Sequence, residues 1–253
     1  MRSYLEYINH LGRLQKKSAH RPLQAGFTIT EVLLASLMMV IVISVAGIGV
    51  TNLLRSNYRA NAGTEIQNNL NRTLEFVSDE VRRARIIADS ETAITSTQVP
   101  TGARAVLAFQ IPDPNNPGQA PLNEQIVYYT KGPENSLTGP RVLWRYGPDL
   151  DANGNYNINS WQHSPVTDRL ADATNNLERF NCDPFQTDIE IPTGWKRIPA
   201  VRGEVEGFYV CVRDGGNQVI LNANAEVNLT TGDTDKDKVN YSVSTRVSPR
   251  ATN

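Results

Sequence analysis

The sequence has few of the residue types on which most enzyme active sites depend. Its 253 residues include two cysteines and three histidines. Only one histidine, His163, lies beyond the first 26 residues, and no nucleophile motif lies near it. The chain also lacks a G-x-S-x-G motif, a Walker motif and clustered Cys/His ligands. The sequence therefore favours a structural or binding role over catalysis.

One long segment has no charge at all. Every residue from Val32 to Val50 is uncharged, and no proline occurs between Phe27 and Val99. Counted from Phe27, the apolar segment of about 24 residues would form a helix of roughly 36 Å, long enough to span a bilayer core. It is longer than the apolar part of a secretory signal peptide. We therefore predict a transmembrane helix, with a buried core helix as the alternative.

Basic charge is concentrated before this segment. Residues 1–26 carry five basic groups and one acid, a net charge of +4, whereas the rest of the chain carries −5. Because cytoplasmic flanks of membrane helices are rich in Lys and Arg, we predict a cytoplasmic N-terminus and an exported chain after residue 50. The mildly acidic body disfavours nucleic acid as the main partner.

The two cysteines, Cys182 and Cys211, both lie in the part predicted to be exported. In an oxidising compartment two cysteines favour a disulfide over a metal pair. Closing a loop of about 30 residues would contribute about 3–4 kcal/mol. Two free buried thiols are the alternative, because sequence spacing does not show proximity.

The helical pattern continues beyond the apolar segment. After Thr51, apolar residues recur at helical spacing with polar residues between them, which predicts an amphipathic helix packed on one face. We predict one helix from Thr28 to Ala88. Its apolar face comprises Ile66, Leu70, Leu74, Val77, Val81, Ala84 and Ala88.

After residue 100 the pattern changes to a period of two between turn residues, which is typical of strands. Asp214–Asn217 is a predicted hairpin turn. Between Gly147 and Gly203 we predict a mostly irregular insert with a short helix at Asp172–Phe180. The fold class is α+β, a long helix packed on an antiparallel sheet. The predicted strands are Ala103–Ile111, Glu124–Thr130, Arg141–Tyr146, Val205–Arg213, Gln218–Val227 and Val239–Val247.

The stretch "DLDANGNYN" contains the first half of a calcium loop. Asp149, Asp151 and Asn153 place oxygen atoms at alternate positions before Gly154, a pattern that suits a hard cation. The twelfth position is Ser160 rather than glutamate, which does not support an EF-hand. We predict a weak Ca²⁺ site here, with an ordinary solvated turn as the alternative. No other cofactor is predicted.

"AGFTITE", followed by about twenty apolar residues, resembles the leader and cleavage site of type IV prepilins. The resemblance implies that a prepilin peptidase cuts between Gly26 and Phe27 and N-methylates Phe27. It implies a leader at 1–26, a transmembrane half-helix at 27–50 and an exported half-helix at 51–88. A β-rich head would follow at 89–253, with an insert at about 147–203.

Glu31 lies at the position where the prepilins that the chain resembles carry an acidic residue. A carboxylate in an apolar setting is costly unless it is paired, and cleavage would create a cationic amine on Phe27. In a filament, a neighbour's Glu31 could meet that amine, so the resemblance implies an assembly role. The alternative is that Glu31 stabilises its own helix N-terminus through the dipole, by roughly 0.3–1 kcal/mol.

The body of the chain resembles the larger minor pilins more loosely. "LEFVSDEVRRARII" is similar to the end of the long helix in J-type pseudopilins of type II secretion and in W-type pilus subunits. There is also a likeness to pseudopilins of polysaccharide secretion in filamentous cyanobacteria. These likenesses imply a minor pilin or pseudopilin, a structural subunit rather than an enzyme.

The resemblance also implies a location and partners. The chain would cross the inner membrane once and join a filament, with its C-terminal domain periplasmic or extracellular. Its partners would be prepilin peptidase, other pilin or pseudopilin subunits, and the inner-membrane assembly platform with its ATPase. Two alternatives stay open: a tip binding module for substrate, glycan or DNA, and an uncleaved single-pass anchor protein.

Overall fold

The computed structural model describes residues 26–116, 118–173, 182, 191–228 and 238–250. It divides the chain into two units, residues 1–55 and 56–253. The predicted leader, except Gly26, lies outside the described residues, as does most of the predicted helix at Asp172–Phe180.

A single helix, α1, runs for 55 residues from Ile29 to Arg83. By length and composition it is able to cross a membrane. It ends before the predicted Ala88 because Ile86 and Ile87 form a short strand, β1, opposite Gln110 and Phe109. These residues pair with the sheet and therefore cannot continue the helix.

The described part of the second unit contains a nine-stranded antiparallel sheet beside α1. The strand order is β1-β2-β3-β4-β5-β8-β7-β6, and β9 pairs with β8. The α+β class predicted from the sequence is therefore confirmed. Two short 3-10 helices lie at Glu91–Ala93 and Arg202–Glu204. After β1 at Ile86–Ile87, the strands are β2 Arg104–Gln110, β3 Ile126–Lys131, β4 Arg141–Leu150, β5 Tyr156–Leu170, β6 Trp195–Ile198, β7 Phe208–Arg213, β8 Val219–Asn228 and β9 Lys238–Val247.

All six predicted strands are present, and the predicted turn joins β7 to β8. The prediction of a mostly irregular insert was wrong, because β5 and β6 lie inside it and β4 extends into it. Along most of β5 the residues are half-buried or exposed. Polar residues therefore occur on both faces of the strand, and the period-two signal in hydrophobicity is lost.

The predicted apolar face of α1 forms the main core. Its residues from Ile66 to Ala84 are buried against the sheet, where they meet Leu107, Leu143 and Leu221. Burying each large side chain contributes about 1.5–3 kcal/mol. Ala88 is also buried, but it lies past the helix in a separate cluster with Ala108 and Val127. Within α1 the face was therefore predicted correctly as far as Val81, and Ala84, the residue after the helix, is buried with it.

A close approach explains Gly63, a residue that weakens a helix by about 1 kcal/mol relative to alanine. Gly63 is buried, and a Cβ at this position would lie 2.0 Å from the Tyr241 hydroxyl. Any side chain at position 63 would displace the Tyr241 ring, so packing against Tyr241 rather than flexibility accounts for this glycine.

A second, smaller core contains the disulfide. Cys182 and Cys211 are bonded, with their Cα atoms 5.4 Å apart. They pack with Val205, Tyr209 and Ile220. The disulfide prediction is confirmed, and the bond attaches the insert to β7 as expected.

Candidate functional site

The start of α1 is organised by a reciprocal pair of side chains, Thr28 and Glu31. The Glu31 backbone N–H donates to Thr28 Oγ1 at 3.3 Å. In return, Glu31 Oε2 accepts from the Thr28 backbone N–H and from its hydroxyl, both at 3.2 Å. This is a capping box, which satisfies N–H groups that have no partner in the first helical turn. The "TITE" spacing, a threonine three residues before a glutamate, is typical of a capping box, but the sequence analysis did not identify it.

The fold does not require glycine at position 26. A Cβ on Gly26 would meet no other heavy atom within 4 Å, and its backbone is not in the left-handed region. The next residue, Phe27, has 82% of its surface exposed. The predicted cleavage site is therefore accessible, and packing among the described residues does not explain its glycine.

An exposed apolar surface follows along the first half of α1. Every large apolar side chain from Phe27 to Leu54 is at least 50% exposed. Soluble monomers rarely expose a continuous apolar surface of this extent. The surface is suited to lipid or to other apolar helices.

The second half of α1 carries a buried ion pair that sequence reasoning missed. Arg145 on β4 donates from Nε and from a terminal nitrogen to the two carboxylate oxygens of Glu80, each at 2.8 Å. Tyr128 on β3 donates its hydroxyl to the same carboxylate. The Glu80 and Arg145 side chains are only 3% and 5% exposed. We call these three residues the Glu80 cluster.

The surroundings fix the protonation of the Glu80 cluster. Burial lowers the pKa of Arg145, but the hydrogen bonds and charge of Glu80 more than offset this, so that its pKa is raised. Burial, and then the Glu80 charge, raise the pKa of Tyr128 well above its usual value. Tyr128 therefore stays protonated and serves as a donor.

Two local features make room for this ion pair. A Cβ on Gly147 would lie 2.7 Å from the guanidinium carbon of Arg145, so glycine is needed beside it. Glu80 lies three residues after Val77 and four before Ala84, which places it on the apolar face of α1. A glutamate on an apolar helix face was therefore the sequence signal for a buried ion pair. The bidentate geometry fixes the rotation of α1 on the sheet.

The predicted calcium residues lie in and beside the turn between β4 and β5. Asp151 Oδ1 accepts from the backbone N–H groups of Asn153 and Asn155, each at 2.8 Å. The hydrogen bonds to Asn155 are the main reason why the pKa of Asp151 is lowered. Asp149 accepts from Ser160 and Gln162.

This arrangement is that of an Asx-type turn. Within the described ranges, no group of three or more His, Cys, Asp or Glu residues is placed to hold a metal ion. The Ca²⁺ site at Asp149, Asp151 and Asn153 stays a prediction.

An aromatic cluster lies on β4 and β5, near the start of the insert. The Tyr146 ring lies 4.8 Å from His163 and 5.5 Å from Trp161, measured between ring centroids. The Tyr129 hydroxyl is 2.9 Å from His163 Nδ1, which holds the imidazole in place. Tyr146 and Trp161 are half-buried and His163 is exposed. We call Tyr146, Trp161 and His163 the aromatic patch.

Comparison with known proteins gives no match: no family model, no curated protein and no solved structure matches the chain. The likeness to prepilins therefore depends on the residues around Gly26 and Glu31. The arrangement of helix and sheet is compatible with a pilin-like fold.

Proposed function

We propose that the chain is a minor pilin or pseudopilin, a structural subunit of a type IV pilus or a type II-like secretion pseudopilus. One observation carries the proposal. A single 55-residue helix has an exposed apolar first half, whereas its second half is packed on an antiparallel sheet. Such a helix suits a subunit that first lies in a membrane and then joins a bundle of like helices.

The residues at the start of α1 support processing by prepilin peptidase. Gly26 and Phe27 are exposed, and the fold gives no reason for the glycine. Cutting between them would place a cationic amine on Phe27, four residues before Glu31. Both groups are then costly in an apolar setting unless each finds a partner of opposite charge. A neighbouring subunit supplies that partner in the proposed filament.

The proposed location and partners follow from the same segment. Residues 27–50 anchor the chain in the inner membrane, with the N-terminus cytoplasmic and the C-terminal domain outside. Other pilin or pseudopilin subunits pack on the apolar surface, and the assembly platform with its ATPase supplies the energy. The chain itself performs no catalysis in this proposal.

Cleavage tests the proposal most directly. We expect the full chain, produced with an active prepilin peptidase, to lose residues 1–26 and gain an N-methyl group on Phe27. Gly26→Val should abolish the cut, whereas Gly47→Val, in the same helix and with no close neighbours, should leave it intact. Intact-mass spectrometry of the membrane-extracted protein measures both. A chain that still begins at Met1 would instead support the uncleaved anchor protein.

The aromatic patch favours a second candidate function, a tip module that binds a surface glycan. Exposed aromatic faces bind the apolar faces of sugar rings, and neighbouring polar groups bind the hydroxyls. His163, which is exposed and held by the Tyr129 hydroxyl, provides such a polar group within the patch. Burial, and then the charge of Glu124, raise the pKa of Tyr146. An acid this close to the patch would repel phosphate, which disfavours nucleic acid.

This second function predicts a loss of glycan binding without a loss of assembly. Tyr146→Ala combined with Trp161→Ala should weaken binding to purified surface polysaccharide of the producing cell by about tenfold, or 1.4 kcal/mol. Trp195→Ala, a half-buried tryptophan elsewhere, is the matched control. Binding is measured by sedimentation with the polysaccharide, and filament recovery by shearing. Equal binding by all three proteins would contradict a glycan-binding patch.

A further inference from the structure

The outer edge of β9 is the longest regular strand edge that the described residues leave open. β9 pairs with β8 at ten consecutive positions without a register shift. On its other side, no strand of the described chain pairs with it. We infer that this free edge of β9 is a docking site for an extended strand donated by a different protein.

The backbone direction of β9 follows from its neighbour β8. The Asn224 backbone N–H donates to the Gly207 carbonyl, and the Asn224 carbonyl accepts from Ala171, at 2.6 and 2.9 Å. Asn224 therefore points its backbone groups away from β9. Because direction alternates along a strand, its neighbours Ala223 and Ala225 point theirs toward β9.

The partners of these two alanines on β9 are Val243 and Tyr241. Odd-numbered residues of β9 therefore hydrogen-bond to β8, and even-numbered residues point their N–H and C=O groups outward. The outward backbone groups belong to Asn240, Ser242, Ser244 and Arg246. These four residues also have exposed side chains.

Other exposed edges of the sheet carry features that discourage strand addition. β1 has two residues and β6 has four. β5 contains Pro165, and its pairing with β4 is interrupted by register shifts. Short strands, proline, bulges and charged side chains are the usual protection of sheet edges. β9 has no proline and no bulge. Of its four outward residues only Arg246 is charged, and its guanidinium lies over the Trp195 ring, so the edge from Asn240 to Ser244 has none of these protections.

The side chains of β9 indicate what the added strand would contain. On the face toward α1, Leu221 and Ala223 of β8 are buried, whereas their β9 partners Thr245 and Val243 are only half-buried. A further strand would cover this row. The occupant is therefore an extended segment with apolar or β-branched residues on one face and polar residues on the other.

A second copy of the chain fits this edge poorly. In an antiparallel β9–β9 pair, the two-fold axis is perpendicular to the sheet, so residues 56–83 of the two copies would run in opposite directions. The subunits of the proposed filament have their helices in the same direction, so this pairing does not fit it, and the exclusion rests on the proposed function. In a parallel two-fold pair, the apolar row of each strand would lie beside the polar row of the other.

The test uses the full chain in detergent micelles and a fluorescent ten-residue peptide in which valine and threonine alternate. A peptide of the same composition, with its valines grouped together, is the control. We expect only the alternating peptide to bind saturably, and fluorescence anisotropy measures the binding. The measurement does not depend on leader cleavage, so its failure and the failure of the proposed pilin function are separable.

Variants of one outward residue distinguish backbone pairing from other contacts. Ser244→Pro removes an outward N–H that makes no bond to β8, and it should weaken peptide binding at least about tenfold. Ser244→Ala keeps the backbone and should bind as the wild type does. Thr245→Lys places a charge in the half-buried row and should also prevent binding. This variant provides the test if Ser244→Pro fails to fold.

Three results would overturn the inference. The first is that the peptide does not bind the wild type saturably. The second is that it binds a folded Ser244→Pro variant as well as it binds the wild type. The third is that two copies of the chain pair through β9. Self-pairing is tested with Ser242→Cys, because disulfide-linked dimers of this variant in membranes would show that a second copy occupies the edge.

Discussion

Glu80→Gln is expected to lower the free energy of unfolding of residues 56–253 by about 3–5 kcal/mol. Glutamine has nearly the same shape as glutamate, so little packing is lost. Its amide cannot neutralise Arg145, whose side chain is 5% exposed, so the guanidinium would remain charged and buried. Removing one partner of a buried pair is costly for this reason. Urea unfolding of the full chain in detergent, followed by tryptophan fluorescence, measures the change.

Two further variants separate the ion pair from general effects of mutation. Glu75→Gln changes an exposed glutamate on the same helix and should alter stability by less than about 0.5 kcal/mol. Glu80→Leu combined with Arg145→Met removes both charges, and it should restore much of the stability lost in Glu80→Gln. A Glu80→Gln protein that unfolds at the wild-type urea concentration would show that the pair contributes little.

The parts of the fold that the sequence predicted well depend on local periodicity. The buried residues of α1 recur every three or four positions, and a helix needs only that pattern to place them on one face. The two cysteines of the chain allowed one pairing, so the Cys182–Cys211 bond needed no choice among connectivities. β8 and β9 alternate because one face of each packs in the main core. β7 is instead a continuous apolar run, because its second face packs in the smaller core around the disulfide.

Other features depend on contacts between distant residues. Glu80 and Arg145 are 65 positions apart, and helical spacing shows only that Glu80 lies on the apolar face. β5 was missed because most of its residues are half-buried or exposed and polar residues occur on both of its faces, which hides its period. The free edge of β9 follows from strand order, which no local pattern contains. The capping box was local, but the sequence analysis related Glu31 to its own helix terminus only through the dipole and did not identify the contact with Thr28.

Glu31→Gln is expected to reduce recovery of the protein in sheared filaments by at least about tenfold, equivalent to 1.4 kcal/mol. Glutamine is accepted at the third position of a capping box, so the Thr28 contacts and the start of α1 should be kept. Only the charge is lost. In the proposed filament this leaves the methylated amine of a neighbouring Phe27 without a partner, and unpairing a buried charge costs about 2–5 kcal/mol.

The matched control is Thr28→Val, which removes the cap but keeps the Glu31 charge. Losing an N-cap costs about 1 kcal/mol, so filament recovery should fall much less than in Glu31→Gln. Intact mass must first show that both variants lose residues 1–26, so that assembly rather than cleavage is compared. If Thr28→Val reduces recovery as strongly as Glu31→Gln, or if Glu31→Gln assembles normally, the carboxylate serves its own helix terminus and not a neighbouring subunit.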